Sequence, residues 1–322
     1  MIRIFGAAMA AFFAFAFSAA TAQTYPAGAV KVVVPQAPGG ATDVFARYVS
    51  QKLGERWGQA VVVENRAGAA GILGTEVVAK SAPDGLTLLF TYEGSQAINQ
   101  SLYSRVPFDG AKDFAAMATV ATTPFFLVVG APSPIKDFRD LIARAKAKAG
   151  GITYATSGSG SINHLLSESL KAEAGIDMVH VPYKAIAAAM ADVMAGTVDN
   201  AFAAVPSAIG LIRAGKLRAI AVSSAKRNPA MPEVPSIAEL GFPKFDINPW
   251  WGLLAPAGTP KAIVDKVNAD VGQVLRTSEA EAFFAKNGAQ VFVSAPDAFQ
   301  ARLVADIARW AAVVKASGVK VD

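Results

Sequence analysis

Two glycine-rich turns hold the residues of this 322-residue chain best placed to grip a ligand. An apolar β-branched run at 30–34 opens into Gln36-Ala37-Pro38-Gly39-Gly40-Ala41-Thr42-Asp43. A second run at 152–156 opens into Ser157-Gly158-Ser159-Gly160-Ser161. Each turn lies between a predicted strand and a predicted helix, at the carboxyl end of the strand. In open α/β sheets ligands bind at that edge. The first N–H groups of a helix lack intrahelical partners and carry the positive end of its dipole. Glycine lets a ligand approach the backbone closely. One such turn is a weak anion site, whereas two on facing domains form a pincer for a carboxylate. The competing reading is plain capping of the two helices by Thr42 or Ser161.

Enzyme motifs are poorly represented. The P-loop Gly-Lys-Ser/Thr is missing, and Asn163 interrupts a Rossmann G-x-G-x-x-G after Gly158 and Gly160. No G-x-S-x-G nucleophile elbow frames Ser157, Ser159 or Ser161. His164 follows Ser161 by one helical turn, so a secreted serine hydrolase using Ser159 or Ser161 is a remote alternative. It would still need an orienting acid and an oxyanion hole. The chain has no cysteine and two histidines, His164 and His180. Thiolate chemistry and a His-rich metal site are therefore excluded or disfavoured, and no cofactor or catalytic residue is expected.

Several other residues have two readings. Tyr183 and Lys184 end a strand on the cleft side, where they either touch ligand or pack the turn. Ala204, at the end of the run 200–205, counts as a further candidate contact. Trp250 and Trp251 read as core or hinge packing. Arg144, Lys146 and Lys148 read as a solvated helix face. Met190 and Met194, spaced i, i+4, read as core.

The elements that must position these residues alternate along the chain. Strands are predicted at 30–34, 60–64, 86–91, 125–129, 152–156, 178–181, 200–205 and 216–223. Helices are predicted at 42–55, 74–80, 137–148, 161–174 and 185–195. Such alternation implies a parallel sheet with helices on both faces. Beyond residues 246–256, helices at 261–275, 280–286 and 296–316 and a short strand at 291–293 have no sheet of their own. They are expected to return to the first unit. Domain 1 would then comprise 23–124 plus 246–322 and domain 2 would comprise 125–245, an α/β architecture with a hinge and an interdomain ligand cleft.

Apolar residues make up 53% of the chain and charged residues 17%, which argues against disorder. A formal charge of +5 is too small to suggest a nucleic-acid partner. Residues 1–22 read as a signal peptide: Arg3, an apolar run to Phe17, and small Ala20 and Ala22 before Gln23. Cleavage near Ala22-Gln23 would export the protein to the periplasm with a charge of +4, since Arg3 is the only charged residue removed.

Across the whole mature length the chain resembles the Bug-type extracytoplasmic substrate-binding proteins of tripartite tricarboxylate transporters. The resemblance rests on Tyr25-Pro26, Val33-Val34-Pro35, Pro38-Gly39-Gly40 with Thr42-Asp43, and Ala46-Arg47. It continues through Glu64-Asn65-Arg66-Ala67-Gly68, Pro83-Asp84-Gly85, Ala97-Ile98-Asn99 and Gly158-Ser159-Gly160-Ser161 with His164. His180-Val181-Pro182-Tyr183-Lys184, Pro235-Ser236 and the stretch from Trp251 to Pro260 complete it. It implies a periplasmic-binding-protein type II-like fold that holds a small carboxylate between two domains. It also implies main-chain groups and waters gripping the ligand at the first turn, with Ser157, Gly158, Ser161 and His164 on the second wall. The implied partners are a large and a small integral membrane subunit of the transporter. A monomer is expected. The ligand class stays open among dicarboxylates, aromatic acids and amino acids. An orphan receptor presenting its ligand to a membrane sensor is the alternative readout.

Three residues depart from the family pattern. Gln36 replaces a frequent aromatic, Ala185 replaces a glycine after Pro-Tyr-Lys, and Glu93 replaces a small hydroxyl residue. Glu93 is expected to meet an amine or hydroxyl on the ligand or to narrow the cleft against dianions; the competing reading is that it points to solvent.

Overall fold

The structure is a computed structural model and describes residues 25–319 and residue 321. The signal segment at 1–22 lies outside the described residues.

Eleven strands form two sheets among the described residues. The first sheet contains β1 (Val30–Val34), β2 (Val61–Asn65), β3 (Thr87–Tyr92), β4 (Phe114–Thr122), β10 (Trp250–Pro256) and β11 (Gln290–Val291), in the order β11-β4-β10-β3-β1-β2. The second contains β5 (Phe125–Gly130), β6 (Thr153–Thr156), β7 (Val179–Pro182), β8 (Asn200–Ala204) and β9 (Leu217–Val222), in the order β7-β6-β8-β5-β9. The helices of the first part are α1 (Ala41–Trp57), α2 (Ile72–Ala79) and α3 (Asn99–Leu102). Then come α4 (Phe138–Ala147), α5 (Ile162–Ala174), α6 (Ile186–Ala195) and α7 (Val205–Arg213). The chain finishes with α8 (Lys261–Leu275), α9 (Ser278–Lys286) and α10 (Pro296–Ser317).

The sheets are mixed, which corrects the expectation of purely parallel ones. β1 is parallel to β2 and β3, and β6 is parallel to β7 and β8. β10 runs antiparallel to β3 and β4, and β5 runs antiparallel to β8 and β9. The reason lies in the crossings between sheets. β4 ends at Thr122 and β5 starts at Phe125, so the chain passes to the second sheet with no crossover helix to impose parallel order. It returns as β10. The two crossings lie side by side: Thr123 N–H donates to the Pro249 carbonyl (3.0 Å), and Ser223 Oγ donates to that of Ile247 (2.6 Å).

The sequence reading does not contain β4, α3 or α7. β4 (FAAMATVAT) is buried along almost its whole length, so it shows no polar alternation. Only Val205 of α7 falls within a predicted strand and the rest carries no predicted element, although Pro206 sits in the first turn of the helix, where proline is well tolerated. α10 packs against β4, α3 and α5 and so touches both halves of the molecule. Its Trp310 and the β10 residue Trp250 are wholly buried in a core that also takes in Phe125, Tyr154 and Leu165. Burying aromatics of this size contributes about 2–3 kcal/mol each. Arg144, Lys146 and Lys148 are exposed, and Met190 is buried.

Candidate functional site

The first turn is held by a network of charged and amide side chains. Gly39 has φ +87°, a left-handed conformation that favours glycine. Its N–H donates to Asp43 Oδ2 (2.9 Å). Arg47 grips the same carboxylate as a fork, Nε to Oδ2 at 3.0 Å and Nη2 to Oδ1 at 2.9 Å. Asn65 Nδ2 bridges Asp43 Oδ1 (2.9 Å) and the Gln36 carbonyl (3.0 Å). Asp43 is buried. Burial acts to raise its pKa, but hydrogen bonds from Arg47, Gly39 and Asn65 outweigh that and hold the carboxyl below its ordinary range. Asp43 therefore builds the turn. Thr42 is engaged too, since its Oγ1 accepts from Trp251 Nε1 (2.9 Å). The helix that follows has Gly40 at its N-cap and no side-chain cap.

The second turn is organised by Asn163 and the two histidines. Asn163 Oδ1 accepts from the hydroxyls of Ser157 (3.1 Å) and Ser161 (2.6 Å). The Ser157 N–H points at the same oxygen (3.4 Å), which fixes the amide orientation. Ser161 Oγ also reaches the Gly158 carbonyl (2.5 Å), and Gly158 has φ +117°. Gly160 N–H donates to His164 Nδ1 (3.0 Å). His164 stacks on His180 with ring centroids 3.9 Å apart, and His180 Nε2 lies 2.6 Å from Thr156 Oγ1. Burial, and then the neighbouring His180 ring, push the His164 pKa down to about 4, so this ring is neutral at pH 7, and burial also lowers the pKa of His180. Ser161 is the N-cap of α5 but makes no capping bond, so neither turn is a side-chain cap.

Two cavities meet between the elements of the first and second sheets. One, of about 360 Å³, is lined by Ser157, Ser159 and Ser161 opposite Ala70, Asn99 and Tyr103. The other, of about 350 Å³, is lined by Phe125, Ala204, Pro206, Trp250 and Trp251. Tyr92 and Ile162 belong to both, so the two are compartments of one cleft. Three helix starts reach the second compartment: Ala41 of α1, Ile162 of α5, and Pro206 and Ser207 of α7. The residue before each start makes no side-chain cap. Their N–H groups and dipoles suit an anion.

The structure brings together part of the expected set. Ser157, Ser159, Ser161 and Ala204 line the cleft. Gln36, Ala37, Pro38, Gly39 and Gly40 form its rim: none lines a compartment, and Ala41 is the first of that turn to do so. Gln36 Nε2 donates to Ser95 Oγ (3.3 Å). Gly158 sits behind the lining serines. His164 is buried behind the second turn, and its role there is to hold Gly160. Tyr183 is tied through its hydroxyl to Asp192 on α6 (2.5 Å) and lines neither compartment.

Glu93 corrects both readings given to it. It neither faces the cleft nor points to solvent, being 1% exposed. A π-helical turn at Gly94–Ile98 follows β3, and Glu93 turns inward there to accept the Trp310 indole N–H at 2.6 Å. Tyr92, Ile162 and Phe125 are lining residues that sequence reasoning missed. The signal available was their position beside strand ends and turns, but apolar residues at those points read as ordinary core. Trp250 and Trp251 both border the second compartment, but Trp251 is partly exposed whereas Trp250 is fully enclosed, with its Nε1 donating to Asp306 Oδ2 (3.0 Å).

Residues 45–319 match the family model described as tripartite tricarboxylate transporter family receptor. The chain is 36% identical to protein BugT of Bordetella pertussis over 93% of this chain and 92% of that one. Among solved structures it resembles Rpa4515 of Rhodopseudomonas palustris with adipate, at 34% identity and a TM-score of 0.73, covering 92% of this chain and 100% of the other. It also resembles MatC of the same organism with bound malate, at 31% identity and a TM-score of 0.70, covering 90% and 100%.

Proposed function

Since the chain belongs to the tripartite tricarboxylate transporter receptor family, we propose that it binds a small organic carboxylate in the cleft between its two sheets and delivers it to the membrane subunits of such a transporter. The observation that carries this reading is the convergence of three helix starts without side-chain caps, at Ala41, Ile162 and Pro206–Ser207, on one compartment. All three supply positive dipole ends without a fixed cation, and α1 and α5 supply first-turn N–H donors. In α7 the Val205 N–H is taken by the Pro124 carbonyl (3.1 Å) and Pro206 has none, so Ser207 is its first donor. The set suits reversible capture of an anion. The carboxylates bound by Rpa4515 and MatC agree with it.

Domain 1 (23–124 with 246–322) and domain 2 (125–245) close on the ligand about the paired crossings at 123–124 and 223–249. Closure creates the face that a large and a small integral membrane subunit recognise. The working form is periplasmic and monomeric, beginning near Gln23 after loss of the signal segment. No bond in the ligand is broken. Of the serines weighed as nucleophiles, Ser161 directs its hydroxyl to Asn163 and the Gly158 carbonyl, and His164 Nδ1 is occupied by the Gly160 N–H, so Ser161 is not joined to an imidazole base.

The test is a thermal-shift screen of residues 23–322 with small acids, sugars and cations. A ligand at about 100 times its dissociation constant adds roughly 2.7 kcal/mol of stability. A shift confined to carboxylates is expected, and shifts with sugars or cations alone would overturn the reading.

A further inference from the structure

We propose that the ligand is a monocarboxylate with an apolar, ring-sized body, seated with its carboxylate at the helix starts and its body against the aromatic wall. This rests on the carboxylate-receptor reading and narrows it. Among the described residues, no Lys, Arg, His, Asp or Glu lines either compartment. The helix starts at Ala41, Ile162 and Ser207 therefore make one anion pole, and a second carboxylate on the ligand would find no cation to pair with. An unpaired charge away from water is costly.

The wall facing that pole is built from Tyr92, Phe125, Pro249, Trp250 and Trp251. The indole, threonine and asparagine donors around it are engaged within the protein. Trp250 Nε1 donates to Asp306 (3.0 Å) and Trp251 Nε1 to Thr42 (2.9 Å). Thr123 Oγ1 donates to the Gly288 carbonyl (3.0 Å), and Asn287 Nδ2 to that of Phe283 (2.8 Å). What remains toward the ligand is largely ring face and aliphatic surface, with the Tyr92 and Ser207 hydroxyls as the polar exceptions. A compartment of about 350 Å³ is within the usual range for small-ligand sites.

The neighbouring serine-lined compartment does not supply the missing pole. The Ser157 and Ser161 hydroxyl hydrogens are directed to Asn163 Oδ1, and that of Ser161 also to the Gly158 carbonyl. Their oxygens are left as acceptors. Asn99 Nδ2 is bonded to the Ala70 carbonyl (2.9 Å). Ser159 and Tyr103 add neutral hydroxyls to this lining but no cation, so it suits water or a neutral polar group better than a second full charge.

Isothermal titration of residues 23–322, freed of carried-over ligand by dialysis, would compare benzoate and cyclohexanecarboxylate with succinate and malate. The ring monocarboxylates are expected to bind at least tenfold tighter than either dicarboxylate. Phe125→Ala should reduce that preference at least fivefold, with its melting temperature as the control for folding. Equal or tighter binding of succinate or malate overturns the inference and leaves the receptor reading standing. Binding of none of the four acids, with a response to sugars or cations, overturns both. The comparison of ligands on the unaltered protein does not depend on the variant.

Discussion

The Trp310 indole N–H lies 2.6 Å from Glu93 Oε1, joining the last helix to the turn after β3. Glu93 is fully enclosed, and its Oε2 has no hydrogen-bond partner. Burial, and then the Asp306 carboxylate, push the Glu93 carboxyl up to about 7, against the opposing pull of Arg302 and Trp310. The folded state therefore binds a proton that the unfolded state releases near pH 4.5. Stability contributed by this group is present below that pH and falls as pH rises toward 7. Glu93→Gln should keep the Trp310 bond, remove this slope and stabilise the protein at pH 8 by roughly 1–3 kcal/mol. Denaturant melts of both proteins from pH 4.5 to 8 check it. An unchanged slope would show that Glu93 stays ionised.

His164 titrates with the opposite sign. Its folded pKa is pushed down to about 4, below the unfolded value of 6.5. Its contribution is complete above pH 6.5 and is lost as pH falls toward 4. His164→Phe should retain stacking on His180 but lose both the Gly160 acceptor and this acid sensitivity. Imidazole proton shifts followed by NMR should show His164 unprotonated down to about pH 5. In Glu93→Gln, where the opposing slope is gone, the His164 effect should stand out as a steeper rise of stability between pH 4 and 6.5.

Asp43 holds Gly39, Arg47 and Asn65 together, yet it lines neither compartment. Asp43→Ala should cost roughly 1–2 kcal/mol, the lower end for a buried charge partner because Arg47 is half exposed. It should also weaken ligand binding by loosening the turn before α1. Asp43→Asn keeps one acceptor and should lose less of both. Chemical denaturation and titration calorimetry on the two variants separate turn-building from direct ligand contact.

Gly39 and Gly158 have φ of +87° and +117°. A branched side chain there is strained by about 1–3 kcal/mol. Gly39→Val has open space around it, and Gly158→Val would meet the Tyr183 carbonyl at an ordinary 3.6 Å. Both should fold with a lowered melting temperature and lose ligand affinity by at least a hundredfold as the turns shift. Retained affinity in both would show that the turns act only as helix starts.

Much of the fold was legible in the sequence because its signals are local. The β-branched run of β1, the glycines at 39, 40 and 158, and the helix Lys261–Leu275 follow from φ preferences and side-chain periodicity. The two turns and their placement after strands were fixed at this level. So were Ser157, Ser159 and Ser161 as cleft residues, because turns at strand ends face outward. Other features depend on partners far along the chain. The antiparallel place of β10 beside β3 needs both crossings between sheets. Trp310 captures Glu93 across 217 positions, and no local pattern marks that pairing. His164 looks like a cleft residue at one helical turn from Ser161, until His180 arrives on the next strand to stack over it. Tyr92, Phe125 and Ile162 become cleft-lining only where two sheets leave a gap between them. Local sequence determined which backbone could make a turn or a helix start. Tertiary packing decided which side chains were enclosed and which were left facing the cleft, because burial is a property of distant surfaces meeting.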